Sequence, residues 1–493
     1  MKIRSRIEML CLLAVLALAG GCADAGSGGP NWDHVCGEIR CDDADPCTDD
    51  ICDVSDPRVC IFPPAAEDTV CGEGGVCDGA GSCVECNRDE HCEDDFNECS
   101  RAFCYGHSCH SAAVADNTAC AGGLCIEGDC ALLGTHLPCT EQGIRNAIAA
   151  GGGSYTFDCD GPTTVTTNTE IIIDNDVILD GGGALSIDGG DEHRVFSVSE
   201  RVSVELRGIT VSGGRATRTI DIESCGGIAN DGVLTLVDCN VSGNAAPSGG
   251  GGGICNSRVL KLVDSTVSGN AARSCAGIFN NLALTLVDST VSDNNAEAGG
   301  GGVCNSGVLT ATSSTVSKNS ASHSGGIENS GVLRLYNSTI SGNIADEGAS
   351  ELFNIGSAEV VSSTVSGDSG GLVELRNLGE LTMARSVIAG TCDGDQMTAS
   401  NGYNLESPGS ACGFDQPSDR AAVTEEALAL GPLGDHGGPT FTHPLREGSV
   451  AVDVIPEALC GLSLDQRGEP RPESSGSACD AGAFELQTQE GGS

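Results

Sequence analysis

Lysine is nearly missing from this chain: it occurs only at positions 2, 261 and 318 of 493 residues. Basic residues total 24 against 70 acidic ones, for a net charge of −46. A nucleic-acid groove needs clustered lysine and arginine, so that class of partner is excluded. The same charge opposes adsorption to anionic headgroups. Aromatic residues make up 3% of the chain, with a single tryptophan, which argues against a core built from large interlocking rings. Long apolar runs are scarce too. The stretch Met9 to Ala19 is too short to span a bilayer, and no later segment reads as transmembrane. Glycine and cysteine are the abundant residues, at 71 and 29 copies.

The amino terminus reads as an export signal over residues 1–21: Lys2, Arg4 and Arg6 precede the apolar run, and small residues follow it. Ala19-Gly20-Gly21-Cys22 resembles a bacterial lipobox, which implies that Cys22 carries lipid and that the membrane is reached through that lipid alone. Residues 22–35 form a short tether. Residues 36–134 are dense in cysteine, and in an exported chain this reads as a disulfide framework standing in for a core. Zinc is the rival reading, but only Cys83 and Cys86 have C-x-x-C spacing and no second pair follows. Asp42, Asp43, Asp45, Asp49 and Asp50 crowd one acidic loop with hard oxygen ligands suited to calcium. Their spacing is not that of an EF-hand, and solvated carboxylates in a disulfide knot are the alternative. No other cofactor is expected.

From Cys139 the character changes. Thr140 to Ala150 predicts a short amphipathic helix with Thr140 as N-cap, Ile144, Ala147 and Ile148 on one face, and Gly151 to Gly153 as the stop. Such a helix would cover the exposed end of a repeat stack, with Cys139 and Cys159 as a bridge pinning it. Irregular short strands follow, and Arg215 to Ser224 reads as a loop inserted into one coil. Between residues 226 and 390 one pattern then recurs every 24 to 26 residues: a glycine pair, an aliphatic, an asparagine, Leu-x-Leu, then Ser-Thr-Val-Ser-x-Asn. A period of that length means a solenoid whose coils bury their apolar side only by stacking.

Alternation assigns the faces. Leu234/Leu236, Leu260/Leu262, Leu284/Leu286 and their successors point inward, as do Val241, Val267, Val291, Val316, Ile340 and Val365. Three short strands and their turns use up the period, which is one coil of a parallel β-helix with coils about 4.8 Å apart. Asn230, Asn256, Asn280, Asn305, Asn329 and Asn354 recur in step and are expected to form a hydrogen-bonded ladder. Cys255 and Cys304 fall in one column two coils apart, as do Cys225 and Cys275, too far to bridge within either pair. Cys239 falls in an inward serine column and is expected to be a free, packed thiol. The expected fold is therefore all-β, a right-handed parallel β-helix over residues 139–391 with an amino-terminal cap helix.

These repeats resemble the right-handed parallel β-helix (pectate-lyase-like) superfamily, and within it the repeat-rich bacterial surface proteins of adhesin-like type. Residues 392–493 sharpen the likeness. Gly431-Pro-Leu-Gly-Asp-His-Gly-Gly-Pro-Thr-Phe-Thr-His443, Asp465-Gln-Arg-Gly-Glu-Pro-Arg471 and Cys479-Asp-Ala-Gly-Ala-Phe-Glu485 closely resemble the choice-of-anchor Q family. That resemblance implies an exported protein fixed at the cell surface, with no common reaction assigned. Cys392 with Cys412 and Cys460 with Cys479 are candidate bridges in this loop-rich end, and Arg467 and Arg471 have Asp453, Asp465 or Glu485 as candidate partners.

No catalytic set stands out. Asp238, Asp264 and Asp288 stack at a strand junction, yet no arginine or lysine column accompanies them; turn aspartates that satisfy local backbone are the blander account. Asp191-Glu-His193-Arg194 reads as a turn. Thr266/Ser268, Thr290/Ser292, Thr315/Ser317 and Thr339/Ser341 predict a flat outward lattice of hydroxyls. The function this implies is a lipid-anchored surface protein with a structural, adhesive or glycan-binding role, whose partners are extracellular glycans or surface proteins. A polysaccharide lyase or glycoside hydrolase using one face is the alternative.

Overall fold

The computed structural model describes residues 34–36, 39–41, 43–49, 51–52, 60–71, 75–80, 82–92, 99–105, 107–114, 119–120, 123–126, 129–132, 135–216, 225–367, 373–394 and 399–487. The signal segment, Cys22, the tether, Asp42 and Asp50 lie outside them. The chain divides into two compact units, one of residues 1–95 with 102–112 and one of 96–101 with 113–493.

In the first unit the described strands, apart from the six-residue Ser100–Tyr105 and Ser108–Ala113, are two or three residues long and pair antiparallel, as in Val70–Cys71 with Gly75–Cys77 and Cys83–Val84. Such fragments bury almost no apolar surface, so covalent links take over: Cys47–Cys77, Cys71–Cys83, Cys86–Cys104 and Cys92–Cys109 are disulfides.

The second unit is an all-β parallel solenoid of about 10 turns with about 24 residues per turn. One coil shows the plan: Ile254–Asn256, Val259–Val263, Thr266–Ser268 and Ala271–Ser274 are its strands. Each pairs parallel and in register with its copy in the next coil, so Leu260 meets Leu284 and Leu284 meets Leu309. All three leucines are buried, at 1%, 1% and 0% exposure, which confirms one shared interior row. Each such side chain is worth about 1.5–3 kcal/mol over leaving it in water. The coil thus has four strands rather than the three expected. The extra one, rich in alanine, closes a narrow corner around Ala246, Ala272, Ala296 and Ala321.

The cap helix spans Glu141–Ala150, with the Thr140 side chain accepting from Gly143 N and Gly143, Ile144, Ala147 and Ile148 buried. Asn175 Nδ2 donates to Ile148 O, and Arg145 donates to Thr169 O, so the helix is tied to the first coil by polar bonds as well as packing. Cys139–Cys159 closes the same end.

Parallel pairing continues past residue 391: Val387–Gly390 pairs with Leu405–Pro408. The winding therefore runs about one coil beyond the expected boundary. The remaining chain folds back onto the outer surface of the strands that carry Thr-x-Ser. Its core joins Leu428, Leu445, Ile455 and Phe484 to Val387 and Leu405. Those last two occupy the threonine column, since Thr364 is paired with Val387 and Val387 with Leu405. The column turns from hydroxyl to aliphatic where the carboxy-terminal region covers it.

Candidate functional site

The polar columns decide which side chains are free to act. Asn230, Asn256, Asn280, Asn305, Asn329 and Asn354 each donate from Nδ2 to Oδ1 of the next, at 2.7 Å, and the row ends on Asn377. The second hydrogen of Asn256 goes to Ala283 O, so the amide is satisfied within the protein. Sequence reasoning missed one parallel row outright, and read the serine column as inward without its hydrogen bonds. Asn244, Asn270, Asn294, Asn319 and Asn343 form another chain of amides that ends on the carboxylate of Glu351. The Ser265, Ser289, Ser314, Ser338, Ser363 and Ser386 hydroxyls each accept the backbone N–H of the coil before. The signal for the first was the Asn that closes every Ser-x-Asn. The glycine pairs belong to the same packing: a Cβ on Gly277 would lie 2.3 Å from Gly302 O. Where that column becomes Glu351, the carboxylate takes both Asn343 N and Asn343 Nδ2.

The aspartate column has a backbone cause. Asp238, Asp264 and Asp288 have φ of 51°, 47° and 50°, and Ser313, Asn337, Ser362 and Arg385 continue the same left-handed corner. Short polar side chains tolerate that conformation best, which accounts for aspartate there without chemistry. Burial, helped by the charge of Asp264, pushes the Asp288 carboxyl above the usual range. The quartet near Asp191 is likewise spent locally: His193 bonds to Arg194 O and Thr167 O, and Arg194 pairs with Glu170.

The cysteines of the repeats are bridged, though in neither of the same-column pairs considered above. Cys225–Cys255 and Cys275–Cys304 are disulfides, each joining one column to the other in a neighbouring coil. Cys275 sits at φ 57°, a corner that redirects its side chain, and this diagonal was invisible to column-by-column reasoning. Cys392–Cys412 and Cys460–Cys479 are also joined. Cys239 is free and buried, its thiol pushed up to about 11 by burial.

Groups of metal-ligand type cluster at Cys47, Cys71 and Cys77, at Cys86, Cys92 and Cys109, and at Cys392, Glu406 and Cys412. Every cysteine among them is in a disulfide, and a disulfide sulfur is not the thiolate that zinc requires. In the acidic loop, Asp43 accepts from Asp45 N and Thr48 Oγ1, and Asp45 accepts from Cys47 N, which is ordinary turn bonding.

The hydroxyl lattice is only half free. Thr266, Ser268, Thr290 and Ser292 are partly exposed, whereas Thr315, Ser317, Thr339 and Ser341 are buried, contrary to the outward array expected. The carboxy-terminal region covers them: Thr315 Oγ1 donates to Phe441 O, Thr339 Oγ1 to Gln466 Oε1, and Ser341 Oγ meets His443 Nε2. His443 thus serves docking. Behind it lies an ion cluster. Asp465 pairs with Arg467, and Arg471 lies 3.1 Å from Glu485, both well buried. Burial raises the Glu485 carboxyl to about 7, with Asp480 adding repulsion and Arg471 opposing, and it raises Asp480 to about 6. At the edge of the covered zone a cavity of about 390 Å³ opens between Asp288, Ser313 and Asn337 on the solenoid and Pro439, Leu464 and Arg467 on the carboxy-terminal region.

These features define a parallel β-helix scaffold with one partly free polar face. No protein-family model matches the chain, nor does any curated protein sequence. Among solved structures, the crystal structure of pectate lyase Pel9A aligns at 14% identity with a TM-score of 0.44, covering 69% of this chain and 90% of that one.

Proposed function

We propose that this is an exported surface protein, lipid-anchored at Cys22 in the bacterial cell envelope, whose solenoid holds a flat polar face toward extracellular glycans or surface proteins. The disulfide-stapled first unit fits an oxidising compartment outside the cytosol. The carboxy-terminal motifs quoted above support membership of the choice-of-anchor Q type. The observation that carries the adhesive reading is the free floor of Thr266, Ser268, Thr290 and Ser292 on a rigid sheet. A lyase or hydrolase is less well supported, because the stacked acids Asp238, Asp264 and Asp288 occupy a left-handed corner that explains them without catalysis.

Two experiments test this. A glycan array probed with the mature chain should give saturable binding; release of reducing ends or unsaturated products from polysaccharides, abolished by Asp264→Ala, would replace adhesion by catalysis. Radiolabelled fatty acid should enter the wild-type chain and not Cys22→Ser. Equal labelling of both would remove the anchor. Calcium in the acidic loop is not needed for this reading.

A further inference from the structure

The carboxy-terminal region docks on the Thr-x-Ser face through hydrogen bonds to its hydroxyls. Along the covered coils these hydroxyls engage the Phe441 carbonyl, the Gln466 amide, the His443 ring and the backbone N–H of Ala483. The uncovered hydroxyls stand in the same columns and the same register, Thr266 with Thr290 and Thr290 with Thr315. The free floor is therefore a continuation of an interface that the molecule already uses.

The border between the two halves is a step. Its floor is the free lattice. Its wall is the carboxy-terminal region, where Phe441 and Leu464 remain 48% and 49% exposed although their own carbonyls are bonded to the solenoid. Phe441 is held one rung from Thr290. The 390 Å³ cavity opens at the same border, beside Asp288 and Asn337. A floor of hydrogen-bonding hydroxyls beside an exposed ring suits a sugar, which offers hydroxyls at its edge and a C–H face to an aromatic. The hydroxyl rows repeat about every 4.8 Å along the axis, so an extended polymer with a short repeat meets equivalent groups at each rung.

The geometry points to a binding step for an extended neutral polysaccharide, with the chain lying on Thr266, Ser268, Thr290 and Ser292 and its side against Phe441. Charge selects neutral over acidic chains. Asp238, Asp264 and Asp288 flank the floor at the strand corner, and the chain as a whole carries −46. A second copy of this chain is disfavoured on the same ground. The inference rests on the glycan-binding reading and adds to it a location and a class of ligand.

The test is co-sedimentation of the purified full chain with insoluble neutral glucan, xylan and chitin, beside affinity electrophoresis in polygalacturonate. At least one neutral polymer should retain the wild type, and 0.5 M salt should change retention less than twofold. Phe441→Ala and Thr290→Arg should each weaken retention tenfold or more, while Thr285→Arg on a different face should change it less than twofold. Circular dichroism melts of all variants separate lost binding from lost folding; Thr266→Arg serves if Phe441→Ala unfolds. Neutral binding that survives both Thr290→Arg and Thr266→Arg in folded protein would overturn the location and leave the glycan reading standing. Preference for polygalacturonate would overturn the neutral class. Retention by no polymer would sink both.

Discussion

At the scale of single residues, the polar columns are where this fold is most exposed to mutation. Asn280 accepts from Asn256 and donates to Asn305 and to Val308 O, all in the dry interior. Asn280→Leu should strand an amide on each side, at about 1–3 kcal/mol for each group left unpaired. Urea unfolding should show it as a lower midpoint with little change in slope. Glu351→Leu should cost a similar amount, because Asn343 N and Nδ2 lose their acceptor together. Cys239 offers a separate check. Burial that raises its thiol to about 11 should make it inert to thiol reagents at pH 8 in the native state and reactive once unfolded. Rapid native labelling of a peptide containing Cys239 would contradict the packing described.

At the scale of elements, the staples matter more than any strand. A coil strand is three to five residues, and alone it is not stable. Cys275–Cys304 spans 29 residues of sequence and joins neighbouring coils, so it restrains the unfolded chain over more than one repeat. The double variant Cys275→Ser/Cys304→Ser should lose about 2–4 kcal/mol, read as a lower midpoint in chemical unfolding. The cap helix was legible in the sequence down to its N-cap and buried face, since capping and 3.6-residue spacing are local rules. The diagonal disulfides were not, because each joins two different columns in neighbouring coils, and a column read by itself does not show which way its side chains lean. The cover on the hydroxyl face was half legible: Ser-Thr-Val-Ser becomes Ser386-Val-Ile-Ala389, a change that marks contact and does not say with what.

At the scale of the whole molecule, charge and burial combine in the carboxy-terminal region. Glu485 and Asp480 have folded-state values near 7 and 6, above their unfolded ones. The folded state therefore binds more protons than the unfolded state between about pH 4 and 7, and stability from this pair falls as pH rises through that window. The excess of 46 negative charges pushes the same way. The melting temperature of the second unit should be higher at pH 5.5 than at pH 8, by about 2–5 °C. Glu485→Gln should flatten that difference, as it cannot ionise. An unchanged pH profile in this variant would assign the effect to Asp480 and net charge instead.

Periodicity by itself determined the stacked coils, the inward leucine and valine rows and the asparagine ladder, because a solenoid repeats each local environment and the sequence must repeat with it. Only the tertiary structure decided which hydroxyls are free, since the segment that covers half of them lies more than 100 residues away along the chain. Contacts made once, between a repeat and a segment that does not repeat, leave no period to read.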